Sequence, residues 1–393
     1  MHDMTRCVMK PDVPEEGFSS LATPVHRAST IVFETAEAFE SRGERGLDGY
    51  SYGLYGTPTT RALEARINAL EGGFHTFLAP SGQAANAFAM LAVLKPGQRV
   101  LMAESCYPPA RDFALQDLAR QSIAVDFFDP LSLSGLAAQL TPETGLVWCE
   151  SPGSTTMEVQ DIPAIAALAH RSGALVGCDN TWATPLLFKP LEHGADIVTE
   201  ALTKYFCGTS DIMMGSVSVR DPELAQELRR QFGRYGVGVS ADDASHILRS
   251  MESMPLRLAH AGRVAEELAA RFAADDLVEA VLLPSRPECP GHAVWKRDFA
   301  GVSGVFSVLF RPQAVAHVAH ALDGLTTFAI GASWGGSRSL MAPLPIREYR
   351  TGPRWQDTRF ALRVSAGLED PRDLMADVDA LLERIRSRLQ TPA

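Results

Sequence analysis

Downstream of residue 73, short apolar runs alternate with stretches whose apolar positions recur at helical spacing, and this continues to about residue 220. Arg99 to Ala103, Ile123 to Phe128, Gly145 to Cys149, Ala174 to Cys178 and Asp196 to Thr199 read as strands. Ala84 to Leu94, Pro109 to Arg120 and Ile162 to Arg171 read as the helices between them. Such alternation predicts an α/β fold: a mostly parallel sheet covered by helices on both faces. Ligand sites in such sheets lie beyond the carboxyl ends of the strands. Upstream, Arg61 to Glu71 predicts a helix stopped by Gly72-Gly73. The segment before it has little periodic pattern. It ends in Tyr50 to Thr59, rich in Gly, Pro and Tyr, which reads as an arm or loop. Downstream, a long helical pattern from Asp242 to Ala274 leads into a smaller α/β lobe. Its strands are expected at Val305 to Arg311 and Arg359 to Ser365, and a last helix from about Asp370.

Composition narrows the class. A chain of 393 residues has room for two or three lobes. With 46% hydrophobic and 21% charged residues it is ordinary for a soluble protein. No apolar run is long enough to span a bilayer, and Met1 to Arg6 lack the basic-then-apolar order of a secretory signal. A cytoplasmic protein without a membrane partner is expected. The net charge of −11 argues against nucleic acid as a partner, since a phosphate-binding surface needs excess Lys and Arg. Cys7, Cys106, Cys149, Cys178, Cys207 and Cys289 are scattered, with no C-x-x-C pair and no histidine at zinc spacing. Reduced, mostly buried thiols and no metal are expected.

Four features fall where strand ends should converge. Ser81-Gly82-Gln83 opens a helix; small residues there let backbone N–H groups approach an anion. Ser81 alone reads equally well as a plain N-cap. Asp179 follows a strand, and an acid there can keep a pyridine nitrogen protonated; by itself it also reads as a helix cap. Lys204 follows the strand ending at Thr199, so its amine is expected to enter the crevice. Desolvation there lowers a lysine pKa and suits it to nucleophilic or base chemistry. Thr203 beside it offers a hydroxyl toward a phosphate. Tyr107 lies in the loop after Arg99 to Ala103, where an aromatic ring can stack on a flat heterocycle. Each is weak alone; the four in one crevice are not.

The stretch Cys178-Asp179-Asn180-Thr181-Trp182-Ala183, then Thr203-Lys204-Tyr205 and Gly208-Thr209-Ser210-Asp211, resembles the signature of the Cys/Met-metabolism pyridoxal-phosphate (PLP) enzymes. The likeness runs from His26-Arg27-Ala28-Ser29-Thr30 through Glu150 to Glu158 and Trp295 to Phe299, and ends at Gly367-Leu368-Glu369-Asp370. Trp182 and Ser333-Trp334-Gly335-Gly336 resemble the bacterial cystathionine β-lyase branch. The resemblance implies a type I PLP-dependent transferase fold, pyridoxal 5'-phosphate as cofactor, and a homotetramer built as a dimer of dimers with shared active sites. It divides the chain into an arm over residues 1–57, a PLP-binding domain over 58–250 and a C-terminal domain over 251–393.

The same resemblance assigns roles. Lys204 holds the cofactor as an imine and, once freed, takes the substrate Cα proton. Asp179 meets the ring nitrogen, Tyr107 the ring face, and Ser81, Gly82, Gln83, Thr203 and Tyr52 the phosphate. Tyr52, reaching from the neighbouring subunit, helps activate the incoming amine. Tyr107 and Tyr52 join Lys204 as catalytic residues, with Lys204 or a nearby tyrosine returning a proton to sulfur. Arg363 grips the substrate α-carboxylate, with Ser333 assisting through its backbone and Trp334 and Tyr55 near the substrate. The implied activity is β-elimination from a thioether amino acid such as L-cystathionine, giving homocysteine, pyruvate and ammonia in methionine biosynthesis. One departure stands out: Leu54 and Tyr55 occupy positions where relatives carry arginines. That leaves cystine or other cysteine S-conjugates open as substrates, and Arg338 as a possible replacement charge. A γ-lyase or γ-synthase of the same family, or a regulator that kept the PLP fold, remain as rivals. A nicotinamide dehydrogenase is disfavoured, because no G-x-G-x-x-G follows a first strand.

Overall fold

The computed structural model describes residues 16–350 and 352–390. Met1 to Arg6, Cys7 and the start of the arm lie outside the described residues. The apolar runs form a seven-stranded sheet of β1 (His75–Ala79), β2 (Arg99–Ala103), β3 (Ala124–Phe128), β4 (Thr144–Glu150), β5 (Leu175–Asp179), β6 (Ile197–Glu200) and β7 (Gly215–Val219). Their order is β1-β7-β6-β5-β4-β2-β3, and β7 runs against its neighbours β1 and β6. The central strands are buried on both faces, as their unbroken apolar character requires. Helices Gly82–Val93, Ile162–Arg171 and Pro222–Tyr235 cover the sheet.

A second, five-stranded sheet holds β8 (Val278–Leu282), β9 (Val305–Phe310), β10 (Ala329–Ile330), β11 (Leu340–Pro345) and β12 (Phe360–Ser365), in the order β10-β11-β12-β9-β8. Helix Met254–Ala273 packs on it, with Phe272 edge-on to Phe306 at 6.2 Å. Two bonds tie the sheets together beside the site. Trp182 Nε1 donates to Val305 O at 2.9 Å, and Gly304 N donates to Tyr205 Oη at 2.8 Å.

The α/β class expected from the pattern is what the fold shows. Two elements differ in detail. The long helix expected from Asp242 to Ala274 is two, Ala241–Met251 and Met254–Ala273; Pro255 in the first turn of the second has no N–H to continue the first. The helix expected from Pro109 to Arg120 runs Pro108–Phe113 and then widens into a π turn, Ala114–Leu118. No residue from 16 to 55 is buried, and this segment carries the short helix Ala36–Glu40 and the 3-10 turn Gly53–Tyr55.

Candidate active site

The parallel strands bring their carboxyl ends to one edge of the larger sheet. β5 ends on Asp179 and β4 on Glu150, side by side in register. Asp179 is 8% exposed. Its Oδ2 accepts from Asn86 Nδ2 at 2.9 Å, and its Oδ1 from Thr181 N at 3.0 Å and Thr181 Oγ1 at 2.6 Å. A carboxylate so held is fixed in orientation as well as place. Asn86 is fixed in turn by Thr199, whose hydroxyl donates to its Oδ1 at 2.6 Å. Helix Gly82–Val93, β5 and β6 are thus keyed together beneath the edge.

Ser81 caps that helix, its Oγ accepting from Ala84 N at 3.0 Å. The amides of the first turn, Gly82 and Gln83, have no partner within the helix, and the positive end of the dipole lies behind them. Only glycine fits at 82, because a Cβ there would lie 2.5 Å from Ala201 Cβ. Gln83 Nε2 donates to Pro109 O at 3.0 Å, tying the helix start to the Tyr107 loop. The backbone N–H of Tyr107 donates to Glu150 Oε2 at 2.5 Å, and its ring is part exposed. Burial, reinforced by Glu150 and Asp179, pushes the Tyr107 phenol up. Burial also pushes the Glu150 carboxyl well up.

Lys204 lies in the turn after β6. Its amine donates to Ser333 Oγ at 2.9 Å and stands 5.1 Å from the centre of a Trp334 ring. Burial, then the nearby Arg363 guanidinium, lower its pKa from 10.5 to about 8, with Asp179 opposing. Gly335, at φ +77°, lets the Ser333-Trp334 loop come down on Lys204; a Cβ there would be 3.2 Å from Lys204 Cβ. Arg363 reaches in from β12. Its Nη2 donates to the carbonyls of Gly331, Ala332 and Ser333 at 3.0, 2.9 and 3.0 Å, while its buried Nε has no partner. Burial brings it down to about 10.

Asp179, Lys204, Tyr107, Arg363, Ser333, Trp334 and the Ser81-Gly82-Gln83 turn therefore gather at one edge. Three of the expected residues have partners of their own. Ser333 presents its hydroxyl to the Lys204 amine. The Thr203 hydroxyl donates to Met214 O at 3.2 Å and accepts from Met214 N at 3.1 Å, just before β7. Arg338 pairs with Glu369 at 3.8 Å. Tyr52 and Tyr55 bond neither Lys204, Asp179 nor Arg363 of their own chain among the described residues. Tyr55 is turned onto Arg229, which stacks on its ring at 4.4 Å and donates to its carbonyl at 3.1 Å. Sequence reasoning missed Asn86, Glu150 and Thr199. The available signal was a polar residue inside an apolar buried run, Asn86 among alanines above all.

A fixed acid and a desolvated lysine at adjacent strand ends, open helix amides and an aromatic ring beside them define a type I PLP enzyme. The residues fit that cofactor on chemistry and space: the acid suits a pyridine nitrogen, the lysine an aldehyde, and the Gly82 turn an anionic phosphate. The chain belongs to the Cys/Met metabolism PLP-dependent enzyme family, whose model matches residues 4–383. It is 42% identical to a putative cystathionine β-lyase of Rhizobium johnstonii, over 91% of this chain and 89% of that one. It is 34% identical to an L-alanine/L-glutamate racemase of Wolbachia pipientis, over 93% of each. The solved cystathionine γ-synthase of Xanthomonas oryzae pv. oryzae superposes with a TM-score of 0.85 at 28% identity, covering 95% of each chain.

Proposed function

We propose that the protein is a carbon–sulfur β-lyase that cleaves L-cystathionine to homocysteine, pyruvate and ammonia in methionine biosynthesis. The observation that carries this reading is the Lys204 amine, desolvated and hydrogen-bonded to Ser333 on a loop that Arg363 holds in place. When bound, the cofactor supplies an electron sink for charge developing at the substrate α carbon. Asp179 holds the ring nitrogen protonated, Tyr107 covers the ring face, and the amides of Gly82 and Gln83 with the Ser81 turn hold the phosphate. Arg363 takes the substrate α-carboxylate through its unpartnered Nε side. Lys204 removes the Cα proton as general base and returns a proton to the departing sulfur. Ser333 keeps the amine aimed between those tasks.

The chain works as a cytoplasmic homotetramer, a dimer of dimers, with the arm over residues 1–57 completing the neighbouring site. Support comes from the arm itself, which exposes Phe18 (77%) and Val32 (88%) and so needs a cover. No helix among the described residues is long and apolar enough to cross a membrane. Tyr52 reaches the neighbour's phosphate, while Tyr55 stays with Arg229. The missing arm arginines leave the far end of the substrate less charge-bound, so cystine and S-alkyl cysteines compete.

The racemase relative favours a second reading, since racemisation also begins with Cα proton removal. One product assay separates these readings. Pyruvate from L-cystathionine supports the β-lyase. 2-Oxobutyrate would mark γ-elimination, and D-alanine from L-alanine without pyruvate would mark a racemase; either result alone rejects the proposal.

A further inference from the structure

Directly beneath the site lie two carboxyls that the proposed reaction does not use. Glu71 ends helix Pro58–Glu71 and Glu200 ends β6; they are 0% and 1% exposed. The two groups are within hydrogen-bonding reach of each other. Among the described residues, no N–H or O–H group donates to either oxygen of Glu71 or to Oε2 of Glu200. Oε1 of Glu200 accepts from Asn180 Nδ2 at 3.1 Å. Of the charged groups facing the pair, Lys189 is on the Glu71 side and is already paired with Glu192 at 3.3 Å. Asp179, on the Glu200 side, adds negative charge. Two ionised carboxylates in such a place would repel with little to offset the lost hydration. One proton between them removes a charge and supplies the missing donor.

We propose that Glu71 and Glu200 share a single proton and form a positioning pair that clamps the turn carrying Asp179. The clamp acts through Asn180, which bonds Glu200 and donates to Phe188 O at 2.9 Å, while its backbone N–H donates to Thr199 O at 3.0 Å. It acts also through Ala201, whose N–H donates to Thr181 Oγ1 at 2.8 Å, the hydroxyl that holds Asp179. Loss of the proton sets the end of β6 against the helix and loosens both Asp179 and the Lys204 turn that follows. Burial raises the Glu71 pKa from 4.5 to about 8 in the folded chain, and raises Glu200 as well. The stability the shared proton contributes is therefore full in acid and is lost as pH rises through the raised value of the pair.

The test compares wild type with Glu200→Gln, Glu71→Gln and Glu200→Ala. On cofactor-free protein at neutral pH, the infrared difference between wild type and either Gln variant should contain a protonated-carboxyl C=O band. Reconstituted with pyridoxal 5'-phosphate, wild type should lose cofactor more readily at alkaline pH, once the pair gives up its proton. Glu200→Gln keeps an acceptor for Asn180 and a donor for Glu71, so it should bind normally and lack that alkaline loss. Glu200→Ala should bind about tenfold more weakly, one pKa unit of coupling. Absence of the band overturns the shared proton. A band present with all three variants binding alike across pH overturns the positioning role. The binding readout rests on the role proposed for Asp179; the infrared readout does not, so the two failures are distinguishable.

Discussion

A lysine amine in water is protonated at neutral pH, and a protonated amine cannot add to an aldehyde. Burial and Arg363 bring the Lys204 pKa down to about 8, so its free-amine share at neutral pH is far larger than that of a lysine in water. Capture of pyridoxal 5'-phosphate by cofactor-free protein should therefore quicken about tenfold per pH unit below that value and level off above it; stopped-flow absorbance reads this directly. Arg363 should not tolerate lysine. Arg363→Lys loses the fork that both holds the Ser333 loop and grips a carboxylate, so KM should rise about 10- to 100-fold, the worth of one charged hydrogen bond. Steady-state kinetics would show it. Lys204, Asp179 and Arg363 stood out in the sequence because each is a charge set in apolar surroundings that also fits a motif. Asn86 and Glu150 did not, since their partners Asp179 and Tyr107 are far away in the chain. The partners of Thr203 and Arg338 were not legible either, because nearness in sequence to a site residue says nothing about which way a side chain turns.

Helix Gly82–Val93 shows how an element is placed by what it excludes. The Cβ of Gly82→Ala would meet Ala201 at 2.5 Å, so the helix start must move off the strand ends. The substitution should cost about 1–3 kcal/mol of stability and weaken cofactor binding at least as much as it weakens folding; urea titration with and without cofactor measures both. The strands β2, β4, β5 and β6 were legible because strands buried on both faces read as apolar runs. β1 and β7 were not. His75–Ala79 directly follows the glycines that stop a helix, and Gly215–Val219 alternates valine with small residues, a faint signal. Helix Pro222–Tyr235 was missed because its Glu- and Arg-rich face outweighs the few positions that bury Ala225, Leu228 and Phe232.

At the scale of the molecule, the site lies where the two sheets meet, with Asp179 and Lys204 from one and Arg363 from the other. One component is expected from a second subunit, the arm with Tyr52. Mixing inactive Lys204→Ala subunits with inactive Tyr52→Ala subunits should regain activity, to about a quarter of sites, since one site of each mixed dimer is then intact. No recovery after verified subunit exchange would place Tyr52 in its own subunit's site. Every role assigned at the site depends on which amine carries the cofactor. The protein has five candidates: Lys10, Lys95, Lys189, Lys204 and Lys296. Borohydride reduction of the protein loaded with pyridoxal 5'-phosphate, followed by peptide mass spectrometry, should find the pyridoxyl group on Lys204. A label confined to another lysine, or no label at all, would contradict it.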